Sequence, residues 1–105
     1  MKRKLKIAQI APLWVSIPPE KYGGIERIIH YLTEELVRRG HQVTLFASGD
    51  SKTKAKLVSV YPQGLLKDKI PWTDPFWNLE NLARVFSQAK DFDIIHSHLD
   101  LWTLF

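Results

Sequence analysis

The 105-residue sequence has no cysteine, a single methionine and only five glycines. Without cysteine there is neither a disulfide framework nor a thiolate zinc site, as expected of a chain kept in a reducing compartment. No apolar run approaches the roughly 20 residues of a membrane-spanning helix. The start Met1-Lys2-Arg3-Lys4 lacks the apolar stretch and small-residue cleavage site of a secretory signal. A cytoplasmic chain is expected from these absences, with association at a membrane surface left open. A basic face is missing too. Of fifteen Lys and Arg, four lie at positions 2, 3, 4 and 6, and the other eleven equal the eleven acidic residues. The net charge of +4 therefore belongs to the terminus. A nucleic-acid-binding domain would carry a basic stripe on its body, so no nucleic-acid partner is expected.

What remains is the composition of a folded domain, with 45% hydrophobic and 25% charged residues. Residues 5–11 form a short apolar run closed by Pro12, which reads as a buried strand. A loop follows to Gly24, held extended by Pro18-Pro19. From Ile25 the period becomes helical: Ile25, Ile28, Ile29, Leu32 and Leu36 share a stripe, with Glu26, Arg27, Glu34, Glu35 and Arg38 largely elsewhere. Arg38-Arg39 suit the carbonyl end of the helix, and Gly40 suits a left-handed cap. Residues 41–47 read as a second strand, so the first half spells a parallel strand-helix-strand crossover. Residues 57–61 read as a third strand of open pairing direction, and 62–72 as a long loop. Asp74-Pro75 offers a helix start for the stripe Leu79, Leu82, Ala83, Phe86 and Ala89. Residues 94–98 read as a buried strand turning polar at its end, and 101–105 as an apolar helix start with no closing cap, as expected where a chain continues.

Alternating strands and helices predict an α/β fold with a Rossmann-like, mostly parallel sheet, whose ligands bind outside the carboxyl ends of its strands. Three segments meet there: residues 21–26, Ser48-Gly49-Asp50 and His96-Ser97-His98. Gly23-Gly24 before a helix would let a phosphate reach free backbone N–H groups, with Lys21 adding charge, or would simply make a tight turn. No G-x-G-x-x-G is present and twelve residues separate the first strand from Gly24, which disfavours a dinucleotide site and Asp50 as a ribose ligand. His96 and His98 face the same way on a strand. With Asp100 they begin the H-x-H-x-D motif of metallo-β-lactamase-like hydrolases, but Leu101 stands where that motif ends in histidine. No metal is expected, and a metal-dependent hydrolase stays an alternative. His30 and His41 read as ordinary surface or strand-start residues. Glu26 is either a dipole-favoured carboxylate or an acceptor for a sugar hydroxyl. Among the tryptophans, Trp14, in the loop before the glycines, is the candidate ligand contact.

Lys6-Ile7-Ala8, Tyr22-Gly23-Gly24-Ile25-Glu26-Arg27, Leu32-Thr33-Glu34-Glu35-Leu36, Arg39-Gly40-His41-Gln42-Val43-Thr44-Leu45 and Asp93-Ile94-Ile95-His96-Ser97-His98 closely resemble, in this order, the N-terminal domain of family 4 glycosyltransferases, which have the GT-B fold. The resemblance covers nearly the whole chain. It implies residues 1–105 as part of the acceptor-side Rossmann-like domain of a retaining, metal-independent enzyme that moves a sugar from a nucleotide-diphosphate donor to a sugar or glycolipid acceptor, with no cofactor besides that donor. Carried over, Lys21, Gly23, Gly24 and Glu26 form the loop between donor phosphate and acceptor, Lys21 standing where related glycogen synthases have the lysine of K-x-G-G. His96 and His98 line the acceptor side. The E-x7-E glutamates that grip the donor belong to a C-terminal domain without counterpart in these residues. The histidine discussed in the family's mechanism follows the next strand. No catalytic residue is assigned, and the chain alone is expected not to transfer sugar. A non-enzymatic α/β module that self-associates through its open edge is the other reading.

Overall fold

The computed structural model describes residues 4–21, 23–71 and 74–99. The expectations placed on Tyr22, Trp72, Asp100 and residues 101–105 lie outside these. The elements follow the order β1 (Lys6–Ile10), α1 (Gly24–Arg38), β2 (Gln42–Phe46), β3 (Lys56–Val58), α2 (Phe76–Ser87) and β4 (Ile94–Ser97), with short 3-10 turns at Leu65–Asp68 and Ala89–Asp91. The sheet order is β3-β2-β1-β4 and every pair is parallel, Ile7 lying beside both Val43 and Ile94. The third strand is thus parallel, reached from β2 without an intervening helix.

Strands covered on both faces need apolar side chains on both, and β1 buries Ile7, Ala8, Gln9 and Ile10. Ala8, Ile10 and Phe46 pack under α2 with Leu82, Val85 and Leu99. Ala11, Leu45 and Ala47 pack on the opposite face with Ile29 of α1 and Ile17. The result is a helix-sheet-helix sandwich. Helix α1 ends as its sequence predicts. Gly40 takes φ 91°, its N–H bonds to the Val37 carbonyl at 2.9 Å and that of His41 to the Leu36 carbonyl at 3.2 Å. That pair of bonds is a Schellman cap, and glycine spares the left-handed residue a Cβ clash.

Both helices are rotated from the faces their apolar periodicity predicts. Helix α1 buries Glu26, Ile29 and Thr33, while Ile25 and Ile28 are exposed, Ile28 by 63%. Helix α2 buries Asn78, Asn81, Leu82 and Val85, while Leu79 and Phe86 are exposed. The cause in α2 is polar. The Asn81 amide donates to the carbonyls of Ala11 and Phe46 at 3.1 and 3.2 Å, and Asn78 Oδ1 accepts from the Leu13 N–H at 2.9 Å. Buried backbone groups beyond the strand ends need partners, and these two amides supply them. Replacing Asn81 by Leu removes the donor and should cost about 1–3 kcal/mol in urea unfolding. Ile28→Ser should change stability by less than about 0.5 kcal/mol; a several-fold larger loss would return Ile28 to the core.

Candidate functional site

Strand β1 is where the sheet reverses its order of construction, with β2 and β3 built to one side and β4 to the other. In open parallel sheets the crevice beyond the carboxyl ends at such a switch point is where ligands sit. The chain leaves β1 there through residues 11–21, and this loop is packed rather than loose: Leu13, Ser16 and Ile17 are buried. Its backbone is tied to three separate segments. Leu13 N–H meets Asn78, the Ile17 N–H bonds to Ser51 Oγ at 2.9 Å and the Ile17 carbonyl accepts from Lys52 at 2.7 Å. The carbonyls of Leu13 and Trp14 accept from the Leu65 and Leu66 N–H groups at 2.8 and 3.1 Å. A Cβ on Gly64 would stand 2.8 Å from the Val15 Cα, so the third of these contacts requires glycine. The Ile17–Pro18 peptide bond is cis.

Asp50 serves this scaffold. Its carboxylate accepts from Ser48 Oγ at 2.6 Å, from the Gly64 N–H at 3.2 Å and from Lys67 Nζ at 3.1 Å. Burial works against its ionisation, but those donors outweigh it and hold the carboxyl below its ordinary value. Asp50 is therefore a brace between the loop after β2 and the turn at Leu65–Asp68.

Two cavities flank the loop. One of about 360 Å³ is lined by Trp14, Val15, Ser16, Glu20, Lys21, Gly64, Leu66 and Lys67. The other, of about 410 Å³, is lined by Trp14, Val15, Gly23, Gly24, Ile25, Glu26 and Leu66. The structure therefore divides the loop residues that the sequence grouped: Lys21 faces one cavity, and Gly23, Gly24 and Glu26 the other. Trp14, Val15 and Leu66 stand between and belong to both. Gly23 is crowded, since a Cβ there would lie 2.9 Å from Glu26 Oε1 and 3.0 Å from Pro19. Gly24, the first residue of α1, is exposed and would place a Cβ in open space. Leu66 and Gly64 were missed because they lie in what reads as a surface loop. A glycine followed by two leucines in such a loop was their signal.

His96 and His98 line neither cavity. They do face the same way, with ring centroids 4.3 Å apart. His96 lies beside Gln9 in the sheet register, and His98 Nε2 pairs with Gln9 Oε1 at 3.1 Å. Gln9 is fully buried and its Nε2 has no partner. Burial, reinforced by His96, pushes the His98 imidazole down to about 4. No cluster of three metal-ligating side chains occurs among the described residues, which exclude Asp100. His41 Nδ1 accepts the Leu5 N–H at 3.1 Å at the far end of β1. No helix of the described residues is long and apolar enough to cross a membrane.

The arrangement is that of an open, parallel α/β domain with two cavities at the edge where the loop after β1 meets the Leu65–Asp68 turn. The sequence profile of Glycosyltransferase Family 4 matches residues 22–105, and the chain belongs to that family. It is similar to AviGT4, a glycosyltransferase involved in avilamycin A biosynthesis, with 31% identity and a TM-score of 0.60. That likeness covers 90% of this chain but spans only 26% of AviGT4. The four-stranded sheet and its helices thus match part of a GT-B glycosyltransferase fold. A comparison with curated proteins found no match.

The depressed His98 value has a readable consequence. Its ring should titrate near pH 4 in a histidine proton NMR titration. Because the unfolded chain binds that proton first, the stability due to neutral His98 is complete above about pH 6.5 and is lost as pH falls toward 4. His98→Asn should flatten that part of the stability profile. A His98 resonance titrating at its ordinary value would contradict this burial.

Proposed function

We propose that this chain is the acceptor-side part of a retaining glycosyltransferase that takes its sugar from a nucleoside-diphosphate donor and needs no metal. Its acceptor is a sugar or glycolipid, met in the cytoplasm or at the membrane surface, and a second domain grips the donor. The observation that carries the reading is Gly24. The first turn of a helix has N–H groups without intrahelical partners and the positive end of its dipole. Gly24 itself carries no side chain, and a Cβ there would meet nothing within 4 Å. Backbone bared in this way at a switch-point edge suits a diphosphate. Lys21 adds a positive charge across Trp14, and His96 and His98, at the end of the neighbouring strand and outside both cavities, face the acceptor side.

The chain alone should release no nucleoside diphosphate from nucleotide sugars, whereas a protein joining it to a donor-binding domain should do so and keep the anomeric configuration, read by NMR. Gly24→Ala should lower that release at least tenfold while leaving unfolding stability unchanged or raised by about 0.4–1 kcal/mol. Gly23→Ala should instead destabilise the fold, because Pro19 and Glu26 occupy the space. No release with any common donor, or full release by the Gly24→Ala protein, would sink the reading. Exposed Ile28, Tyr31 and Phe86 favour a second reading, association with a second copy. Sedimentation should then show mass rising with concentration, and a monomer throughout would remove it.

A further inference from the structure

Gln9 sits in the middle strand between Ala8 and Ile10, which pack under α2, so its side chain points to the opposite face of the sheet. It is fully buried, and its amide makes one hydrogen bond: Oε1 meets His98 Nε2 at 3.1 Å, while the amide Nε2 has no partner. As a contribution to stability this is unfavourable. The net gain from one such bond is smaller than the cost of a buried donor left unpaired, and a leucine there would leave no donor unpaired. The side chain is accounted for by what it does to His98.

The strands concerned form the switch point itself. β2 lies on one side of β1 and β4 on the other, and the His98 N–H donates to the Ile10 carbonyl at 3.0 Å, which carries the pairing past the end of β4. His96 and His98 share the face of Gln9, with ring centroids 4.3 Å apart, and Ile94 and His96 on that face of β4 are exposed. Burial, with His96 the titratable neighbour that acts on it, keeps the His98 ring uncharged at neutral pH. An uncharged imidazole has one N–H and one lone pair. A carboxamide oxygen can only accept, so it engages the N–H at Nε2, and the ring's lone pair is left on Nδ1. That atom has no partner among the described residues and is not sealed from solvent. We infer that Gln9 is a positioning residue, which locks His98 in the Nε2-protonated form so that Nδ1 offers one fixed lone pair to a hydroxyl of the sugar substrate at the β1–β4 crevice. A lone pair without positive charge suits a hydroxyl and not a phosphate. The identity of the hydroxyl rests on the glycosyltransferase reading above, whereas the tautomer rests on the Gln9 contact alone.

The first test reads the tautomer in the 15N-labelled 105-residue chain. Long-range 1H–15N correlation at neutral pH should show His98 with Nε2 protonated and Nδ1 bare; the reverse, or an even mixture, overturns the inference. Gln9→Leu removes the oxygen and should release the ring into a mixture of both tautomers, with the urea midpoint unchanged or raised. A ring that stays Nε2-protonated in that variant also overturns it. Gln9→Glu puts a carboxylate against the N–H and should raise the His98 titration from about 4 by about one pH unit or more. A side chain that merely filled space would give no such shift, and an unshifted titration counts against the contact. The hydroxyl is tested in the protein joined to a donor-binding domain. There Gln9→Leu should raise KM about tenfold with kcat changed less, as expected when one well-placed hydrogen bond is lost. The rise falls on the acceptor if the acceptor carries the hydroxyl, and on the nucleotide sugar if the donor does. KM unchanged for both removes the hydroxyl role. Nucleoside diphosphate release by neither protein defeats the proposed function and that role with it, and leaves the locked tautomer standing.

Discussion

A loop that leaves the middle strand of a sheet and crosses its covered edge carries backbone donors and acceptors that water cannot reach, and each needs a partner from the protein. Residues 11–21 are in that position. Their groups bond to α2 through Asn78 and Asn81, to the segment after β2 through Ser51 and Lys52, and to the Leu65–Asp68 turn. These three anchors are far apart in sequence, so the loop acquires its shape only when the whole domain has formed. Both cavities lie against it, and their common wall is Trp14, Val15 and Leu66. The geometry of the ligand edge is therefore a tertiary property, set by where the loop's hydrogen bonds end.

The same demand explains the rotation of α2. Apolar spacing on α2 favours burying Leu79, Leu82, Ala83 and Phe86, and that choice would turn Asn78 and Asn81 to solvent. The carbonyl of Ala11 would then lose its donor and the N–H of Leu13 its acceptor, each a penalty of about 1–3 kcal/mol. Exposing Phe86 and Leu79 costs less than it seems, because apolar side chains are common on protein surfaces. On α2 polar satisfaction wins over apolar periodicity, and the price appears as the exposed Leu79 and Phe86.

What could be read from residues alone follows from this. Local rules made the crossover legible: the change of period at Ile25, the Gly40 cap and the short apolar runs of β1 and β2 all stand in the structure. The pairing of β3 and the facing of both helices were not legible, since a hydrophobic period has no term for a buried amide or for Glu26. Of the site, Gly23 and Gly24 at the start of α1 were visible because glycine reports on space. The division between Lys21 and Glu26 was not. It depends on two residues from a distant turn: Leu66, which lines both cavities, and Gly64, which lines only the one beside Lys21.

The unsatisfied polar atoms are not scattered evenly over the molecule. Of the five buried side-chain atoms without partners among the described residues, Gln9 Nε2, Asn78 Nδ2 and Asn81 Oδ1 belong to residues at the carboxyl edge of β1 or on the helix face packed against it. Folded chains place most such atoms against partners, and departures from local consistency gather where a protein must meet something else. Here they gather where topology alone places the ligand. The central strand does two jobs at once: its middle is sealed by apolar contacts on both faces, and its end carries polar groups with capacity to spare.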